Sequence, residues 1–501
     1  MIPSQDAPAR PMIPASRGGV TTLCIHAFLA AIAGIALRLF FALRFPFSLG
    51  DGETYIQLAR NWADHRVYGL WLNGQLIPTD LRLPGYPAFL AAVAIVFRRT
   101  TRAIVLSQSV LDLCTCFIAA GLAAALAPKT ARRRAAIAGL WLAATCPFLA
   151  NYAAAVLTEV LVAFFATGAL VFFAMSVVQG TVDYSFMRRR LQLTPLVAAS
   201  LGALLTGLAS LVRPEMPLLL AVAGVVFVFR WFRSFGLRKI LVTGLAMALA
   251  FLLPLLPWAA RNFVSLHKLQ ISAPRYATLP GEYATVGYFA WTNTWLERYR
   301  DIYLSVWKIG EEPVDIEDLP ATAFDSPQEK ETVARLFDEY NASPDLDIAP
   351  EQDREFARIA RERIRRHPFR TRIWVPLQRA LTIWFTPRTE LLPIDGKFWP
   401  VTQNWQDSHA DVLTTGGFAA IGYLYIALAL GGIWIAWRAR AYIDAPNLWG
   451  ILLLVAYLIV RTAFLTTVEA PEPRYVVTCY PAVLALAALL WSTNQKQNES
   501  I

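Results

Sequence analysis

Long apolar runs, separated by short basic segments, dominate the chain from about residue 21 to 260 and again from about 411 to 492. A helix of roughly 20 apolar residues, rising 1.5 Å per residue, crosses the ~30 Å hydrocarbon core of a bilayer. The pattern predicts such helices at about 21–45, 103–126, 135–153, 158–178, 194–212, 217–229, 240–260, 413–437, 447–467 and 476–492. The run 86–97 differs. About a dozen apolar residues precede Arg98, Arg99 and Arg102, too few for a crossing, and the pattern predicts a helix lying in the membrane interface. The expected fold class is therefore an all-α polytopic membrane protein, a transmembrane helix bundle of about ten spans.

Charge fixes the expected sidedness. If 86–97 does not cross, the basic clusters at 128–134 (PKTARRR), 188–190 and 230–239 (RWFRSFGLRK) all fall on the cytoplasmic side, as the positive-inside rule asks. The cost is that 98–102 stays external. This layout gives a cytoplasmic tail at 1–20, a membrane module at 21–260 with a first external loop at 46–102, an external soluble region at 261–410, C-terminal spans at 411–492 and a cytoplasmic tail at 493–501. The first apolar run is too long for a signal peptide and lacks a small-residue cleavage site, so it reads as a signal anchor. Within the charged region, 369–386 alternates basic and apolar residues and predicts a second interfacial helix.

Composition supports the membrane reading: 56% of residues are hydrophobic and the mean hydropathy is +0.43. The net charge of +10 belongs to short cytoplasmic loops rather than to nucleic-acid binding, since no nucleic-acid-binding motif accompanies it. The five cysteines lie in apolar segments without CxxC spacing, and the five histidines are scattered without HxH or HxxxH. No zinc site is expected, and no spacing here calls for a cofactor. Walker, GxSxG and contextual GxGxxG motifs are missing, so nucleotide-driven pumping and hydrolase chemistry have no support.

The candidate chemistry begins at 46–87, the first long polar stretch. Asp51 and Glu53 stand two residues apart just outside the first helix, followed by Tyr55. A carboxylate shielded at a membrane face becomes a stronger base. The bland alternative is that Asp51 simply caps an interfacial helix. Arg82 lies beside Pro84-Gly85-Tyr86-Pro87, whose backbone is stiff. A fixed guanidinium suits a phosphate, and equally a lipid headgroup. Four further groups face the same compartment in this layout: Thr158-Glu159, Arg213-Pro214-Glu215, Arg261-Asn262 and Pro471-Glu472-Pro473-Arg474-Tyr475. Inside the spans, Arg38, Asp112 and Arg461 are tolerable only if paired or facing a cavity. Arg38 and Asp112 are the expected pair.

An acid after the first span, a Tyr four residues on, and a Pro-Gly-Tyr-Pro turn before an interfacial helix resemble the ArnT/PMT-type glycosyltransferases of the GT-C fold. Thr-Glu opening the fourth span, Arg-Pro-Glu at 213–215, Arg-Asn at 261–262 and Glu-x-Arg-Tyr at 472–475 are similar to that pattern too. The resemblance covers roughly 20–270 and 410–490. It departs at Gly52, which separates two acids that relatives often hold adjacent. It implies an inverting, metal-independent transfer of a sugar from a polyprenyl-phosphate donor to an envelope lipid, glycan or protein, at the outer face of a bacterial inner membrane. Asp51, Glu53 and Glu159 would supply the catalytic acids; Arg82, Arg261 and Arg474 would hold the donor phosphate; Tyr55, Tyr86 and Tyr475 would line the substrate. A transporter or lipid flippase is the rival class, and it predicts helices broken at mid-membrane. A non-catalytic envelope assembly subunit is the third.

Overall fold

A computed structural model of the protein describes residues 17–97, 99–178, 182–184, 189–191, 193–232, 236–276, 278, 282–438 and 445–492. Most of the expected N-terminal tail (1–16), the whole C-terminal tail, and Arg98, Arg188 and Arg233 of the basic segments lie outside these residues. Each of the ten apolar runs is helical. Among the described residues, six helices are long and apolar enough to cross a bilayer: Thr22–Arg44 within Arg17–Arg44, Thr101–Leu126, Glu159–Val178, His409–Arg438, Asn447–Leu465 and Pro473–Ser492. The chain is an all-α integral membrane bundle, as expected.

The remaining runs depart from single straight spans. Run 135–153 is two helices, Arg132–Ala144 and Pro147–Ala153, bent by 51°, and run 240–260 is Leu237–Leu252 and Leu256–Leu266, bent by 48°. Pro147 accounts for the first break, and Pro254 with Pro257 for the second, because proline removes a donor and clashes with the preceding turn. Counting each bent pair as one span gives eight. Pro195–Ser210 and Pro217–Trp231, of 16 and 15 residues, are shorter than the roughly 20 residues of a straight crossing.

Burial sorts the helices into inner and outer. Glu159–Val178 is 83% buried and Pro473–Ser492 78%, against 22% for both Thr22–Arg44 and His409–Arg438. The outer helices turn Phe28, Leu43, Leu430 and Trp434 outward, an apolar surface that only lipid solvates well. Buried alanines (Ala119, Ala120, Ala123, Ala143, Ala144) let the inner helices approach closely. At one end, the Asn447 side chain donates to the carbonyls of Leu126 and Ala127, 3.1 and 2.8 Å away, and so closes the C-terminus of Thr101–Leu126.

Arg38 and Asp112 pair as expected, Nε to Oδ2 at 2.8 Å, each side chain 1% exposed. Arg38 also donates to the Ala144 carbonyl at 2.8 Å, at the Pro147 break. The backbone group freed by the kink thus has a charged donor. This answers the cost of an unsatisfied carbonyl in hydrocarbon.

The first polar stretch folds as helix Asp51–His65, an antiparallel hairpin of Gly69–Leu72 with Gln75–Pro78, and helix Gly85–Val96. At 12 residues the last is about 18 Å long, short of a crossing. The hairpin was not foreseen. Its turn, Asn73-Gly74, has positive φ at both residues, which is the backbone the right-handed strand twist favours.

Much of the charged region forms its own core. Tyr288 and Trp291 of Val286–Thr292, Phe337 and Tyr340 of Pro327–Asn341, and Phe356 of Pro350–Arg366 pack together with Trp295. Arg363, 1% exposed, pairs there with Asp325 and Glu329. The expected interfacial helix is present as a π-helical turn, Arg370–Trp374, running into helix Val375–Phe385.

Candidate active site

Two backbone contacts bring the distant polar groups together. Phe47 makes a parallel bridge to Ala155, with Phe47 N–H on the Ala154 carbonyl at 3.0 Å and Val156 N–H on the Phe47 carbonyl at 2.8 Å. This holds the start of Asp51–His65 beside the start of Glu159–Val178. The Gly85 N–H donates to the Leu211 carbonyl at 2.8 Å. A Cβ on Gly85 would lie 2.7 Å from that oxygen, so only glycine lets the Pro84-Gly85 turn seat here, two residues before Arg213.

Asp51 is the first residue of its helix, but it does not cap it; Gly50 occupies the N-cap without a side-chain bond. The carboxylate instead bridges two guanidiniums. Oδ1 accepts from Arg82 at 2.8 Å and Oδ2 from Arg474 at 3.1 Å. Arg474 also pairs with Glu472 at 2.6 Å, and the Tyr475 hydroxyl donates to Glu472 at 2.9 Å. The Tyr475 ring lies between two cations, Arg213 at 4.8 Å and Arg474 at 5.4 Å. Arg213 in turn pairs with Glu159 at 2.6 Å, bonds Thr158 at 3.1 Å and approaches Glu215 at 3.7 Å. Glu215 pairs with Arg461 at 3.1 Å. One network therefore runs from the surface inward, alternating in charge from Arg82 to Arg461.

Exposure falls along it. Arg82 and Asp51 are 33% and 28% exposed, Arg474 21%, Arg213 13% and Arg461 0%. Burial alone would raise the Asp51 pKa, but Arg474 and Arg82 reverse this and hold it below the usual carboxylate value. Glu472 goes the other way: burial pushes its pKa up despite Arg474. Two neighbouring carboxyls with oppositely shifted affinities for a proton can divide base and acid roles. Tyr55 lies within electrostatic reach of Asp51, Arg82, Arg213 and Glu159, and burial pushes its hydroxyl up to about 12.

The other sequence candidates fall outside this network. Glu53 is exposed on the same helix and forms no ion pair among the described residues. Arg261 donates to the Tyr68 and Thr79 carbonyls and packs over the Tyr68 and Trp258 rings. It fastens helix Leu256–Leu266 to the hairpin and, among the described residues, reaches the network through Tyr68, whose hydroxyl bonds the Arg82 carbonyl at 2.9 Å. Tyr86 is buried, its hydroxyl on Gln108 at 2.5 Å, and its ring backs Tyr55 edge-on at 5.1 Å.

Five residues here were not assigned roles from the sequence: Arg213, Glu215, Glu472 and Arg461 in the network, and Glu390 beside it. Glu390 accepts from the Tyr152 hydroxyl, while its Oε2 is buried without a partner. Burial raises its pKa, and Glu472 is among the charges acting on it. A shared signal was present. Arg213-Pro214-Glu215 and Glu472-Pro473-Arg474 set proline between arginine and glutamate, and Pro387-Arg388-Thr389-Glu390 holds the same three residue types within four positions, each where an apolar helix ends or begins.

The chain matches no protein-family model and no curated protein sequence. Its structure is similar to the archaeal oligosaccharyltransferase AglB from Archaeoglobus fulgidus, in complex with an inhibitory peptide and a dolichol-phosphate. The identity is 15% and the TM-score 0.47, covering 94% of this chain and 50% of that one. It is also similar to ArnT from Cupriavidus metallidurans bound to undecaprenyl phosphate, at 15% identity and TM-score 0.39, covering 95% and 78% of the two chains. Both are membrane glycosyltransferases of the GT-C fold, the class whose motifs the sequence resembles. The chain spans about half the length of the oligosaccharyltransferase.

Proposed function

We propose that this chain is a GT-C glycosyltransferase that moves a sugar from a polyprenyl-phosphate donor to an envelope acceptor at the outer face of a bacterial inner membrane. The observation that carries the reading is the carboxylate of Asp51, reachable from solvent and flanked by the guanidiniums of Arg82 and Arg474. A base and two phosphate ligands thus stand within one hydrogen bond of each other. In the transfer, the acceptor hydroxyl oxygen bonds to the anomeric carbon as the bond from that carbon to the phosphate oxygen breaks. The hydroxyl proton passes to Asp51, and the electron pair leaves with polyprenyl phosphate. Attack opposite the leaving group inverts the anomeric centre. Arg82 and Arg474 meet the charge that grows on the phosphate, the usual dominant electrostatic contribution, and this reading asks for no metal. Tyr55 and Tyr475 line the space beside Asp51, and Glu159 sets Arg213 from behind.

The rival transporter reading predicts broken helices, and two are present. Neither break has the character of a substrate site. The first is capped by the buried Arg38–Asp112 pair. The second, at Pro254, is flanked by outward-facing Leu253 and Leu256. The test is transfer by purified protein in detergent, using polyprenyl-phosphate sugars and an envelope lipid extract. Product of inverted anomeric configuration supports the proposal. Uptake of solute into liposomes without any transfer overturns it in favour of transport.

A further inference from the structure

In the resting site the two guanidiniums assigned to the donor phosphate are already occupied. Each Asp51 oxygen takes one of them, 2.8 Å to Arg82 and 3.1 Å to Arg474. The two arginines therefore converge on a single small anion. Of the four acids in the network, Asp51 is the exposed one, 28% against 7% for Glu472, 6% for Glu215 and 1% for Glu159. An incoming anion can displace Asp51, while Glu472 stays on Arg474.

Resting on the proposed donor reading, we infer that the Asp51 carboxylate occupies the seat of the donor phosphate, so that arrival of the lipid phosphate evicts Asp51 from Arg82 and Arg474 and thereby frees it to act as base. Three features fit. The phosphate has more oxygens than a carboxylate and matches two planar donor sets at once. The Asp51 side chain has an exit: it is 28% exposed, and it bears no capping duty, since Gly50 holds the N-cap. Finally, a carboxylate gripped by two cations is a poor base, whereas the same group left in a half-buried site without them is a better one. The consequence is order. Asp51 can deprotonate an acceptor only once a donor is seated, so acceptor alone meets a disarmed site.

The inference makes a counter-intuitive prediction about affinity. If Asp51 competes for the seat, its removal strengthens binding of the lipid phosphate even as it abolishes transfer. Binding of sugar-free undecaprenyl phosphate to the full-length protein in detergent micelles is measured by intrinsic tryptophan fluorescence or native mass spectrometry. Wild type, Asp51→Asn, Asp51→Ala and Arg82→Gln are compared, with monodispersity and thermal unfolding as the check on folding. Asp51→Asn and Asp51→Ala are expected to bind about five- to tenfold more tightly than wild type, the order expected when a competing, partly exposed ion pair is removed from each arginine. Arg82→Gln is expected to bind more weakly. Equal or weaker binding by both folded Asp51 variants, with wild type binding normally, overturns the competition and leaves the donor reading intact. No binding by wild type or any folded variant removes the donor reading and the competition with it.

Discussion

The Arg38–Asp112 and Arg82–Asp51 pairs are chemically the same ion pair in two settings. Both join a guanidinium to an aspartate at 2.6–2.8 Å. The first is sealed in the bundle, 1% exposed on each side, and spends its remaining donors on backbone carbonyls and the Cys116 sulfur. The second is about a third exposed and its aspartate is shared with another arginine. Distance does not separate structure from chemistry here; access and sharing do. A pair whose every hydrogen-bonding position is filled and dry holds helices together. A pair that water reaches and that a second cation disputes can be exchanged for a ligand.

Substitutions at the two aspartates should come apart accordingly. Asp51→Asn keeps size and hydrogen bonding but removes the base. Transfer is expected to fall by about 10²–10⁴-fold, with a thermal unfolding midpoint in detergent close to wild type. A large drop in the midpoint with preserved turnover would reverse the roles given to the pairs. Asp112→Asn leaves Arg38 buried without a counter-charge, for which a loss of roughly 3 kcal/mol of stability is expected. Its surviving folded fraction should show wild-type turnover, as read by rate per folded molecule.

Within the exposed pair, Arg82→Ala should raise the KM for donor about tenfold, since a bidentate-capable phosphate ligand is lost, and lower turnover as well. Glu53→Gln is the control: exposed and outside the network, it should change both constants by less than about twofold. Loss of transfer in Glu53→Gln with activity retained in Asp51→Asn would move the base to Glu53.

The smallest effect concerns pH. The folded pKa of Asp51 is held below its ordinary value by Arg474 and Arg82 against burial, with Glu472 and Tyr55 as the other titrating neighbours. Its contribution to stability is thus fully present above the unfolded value of about 3.9 and is lost as pH falls through the lower folded value. The stability difference between wild type and Asp51→Asn should be constant from neutral pH to about 5 and shrink only below 4. Shrinkage near neutral pH would show that the arginines do not grip Asp51.

The sequence made the helices and several of the pairings legible because each follows from a local cost. Apolar runs must be helical in lipid, and Arg38 and Asp112 must find each other at depth. Asp51 stood out as an acid just outside the first span, and Arg82 and Arg474 because prolines stiffen the chain beside them. The cross-connections were not legible. That Glu390 reaches Tyr152, or that Arg261 turns to the hairpin carbonyls instead of Asp51, depends on how segments more than a hundred residues apart dock. The helix breaks were readable from Pro147, Pro254 and Pro257. The runs around them simply had enough apolar length to suggest unbroken spans. The Asn73-Gly74 hairpin was equally available from its turn residues.

Arg379 shows a different kind of constraint. Buried in helix Val375–Phe385, it donates to the backbone carbonyls of Leu296, Thr466, Val468 and Glu469, at 2.8–3.0 Å. It holds the path of the chain just ahead of Glu472 and Arg474 without touching any side chain there. A grip on main-chain oxygen is blind to residue type. The grip therefore leaves exposed Thr467 open to drift or redesign, whereas Thr466 is held by its own burial and Glu469 by its pairing with Arg275. Arg379 itself has no such freedom: its flat five-donor head cannot be replaced by the three-donor ammonium of lysine.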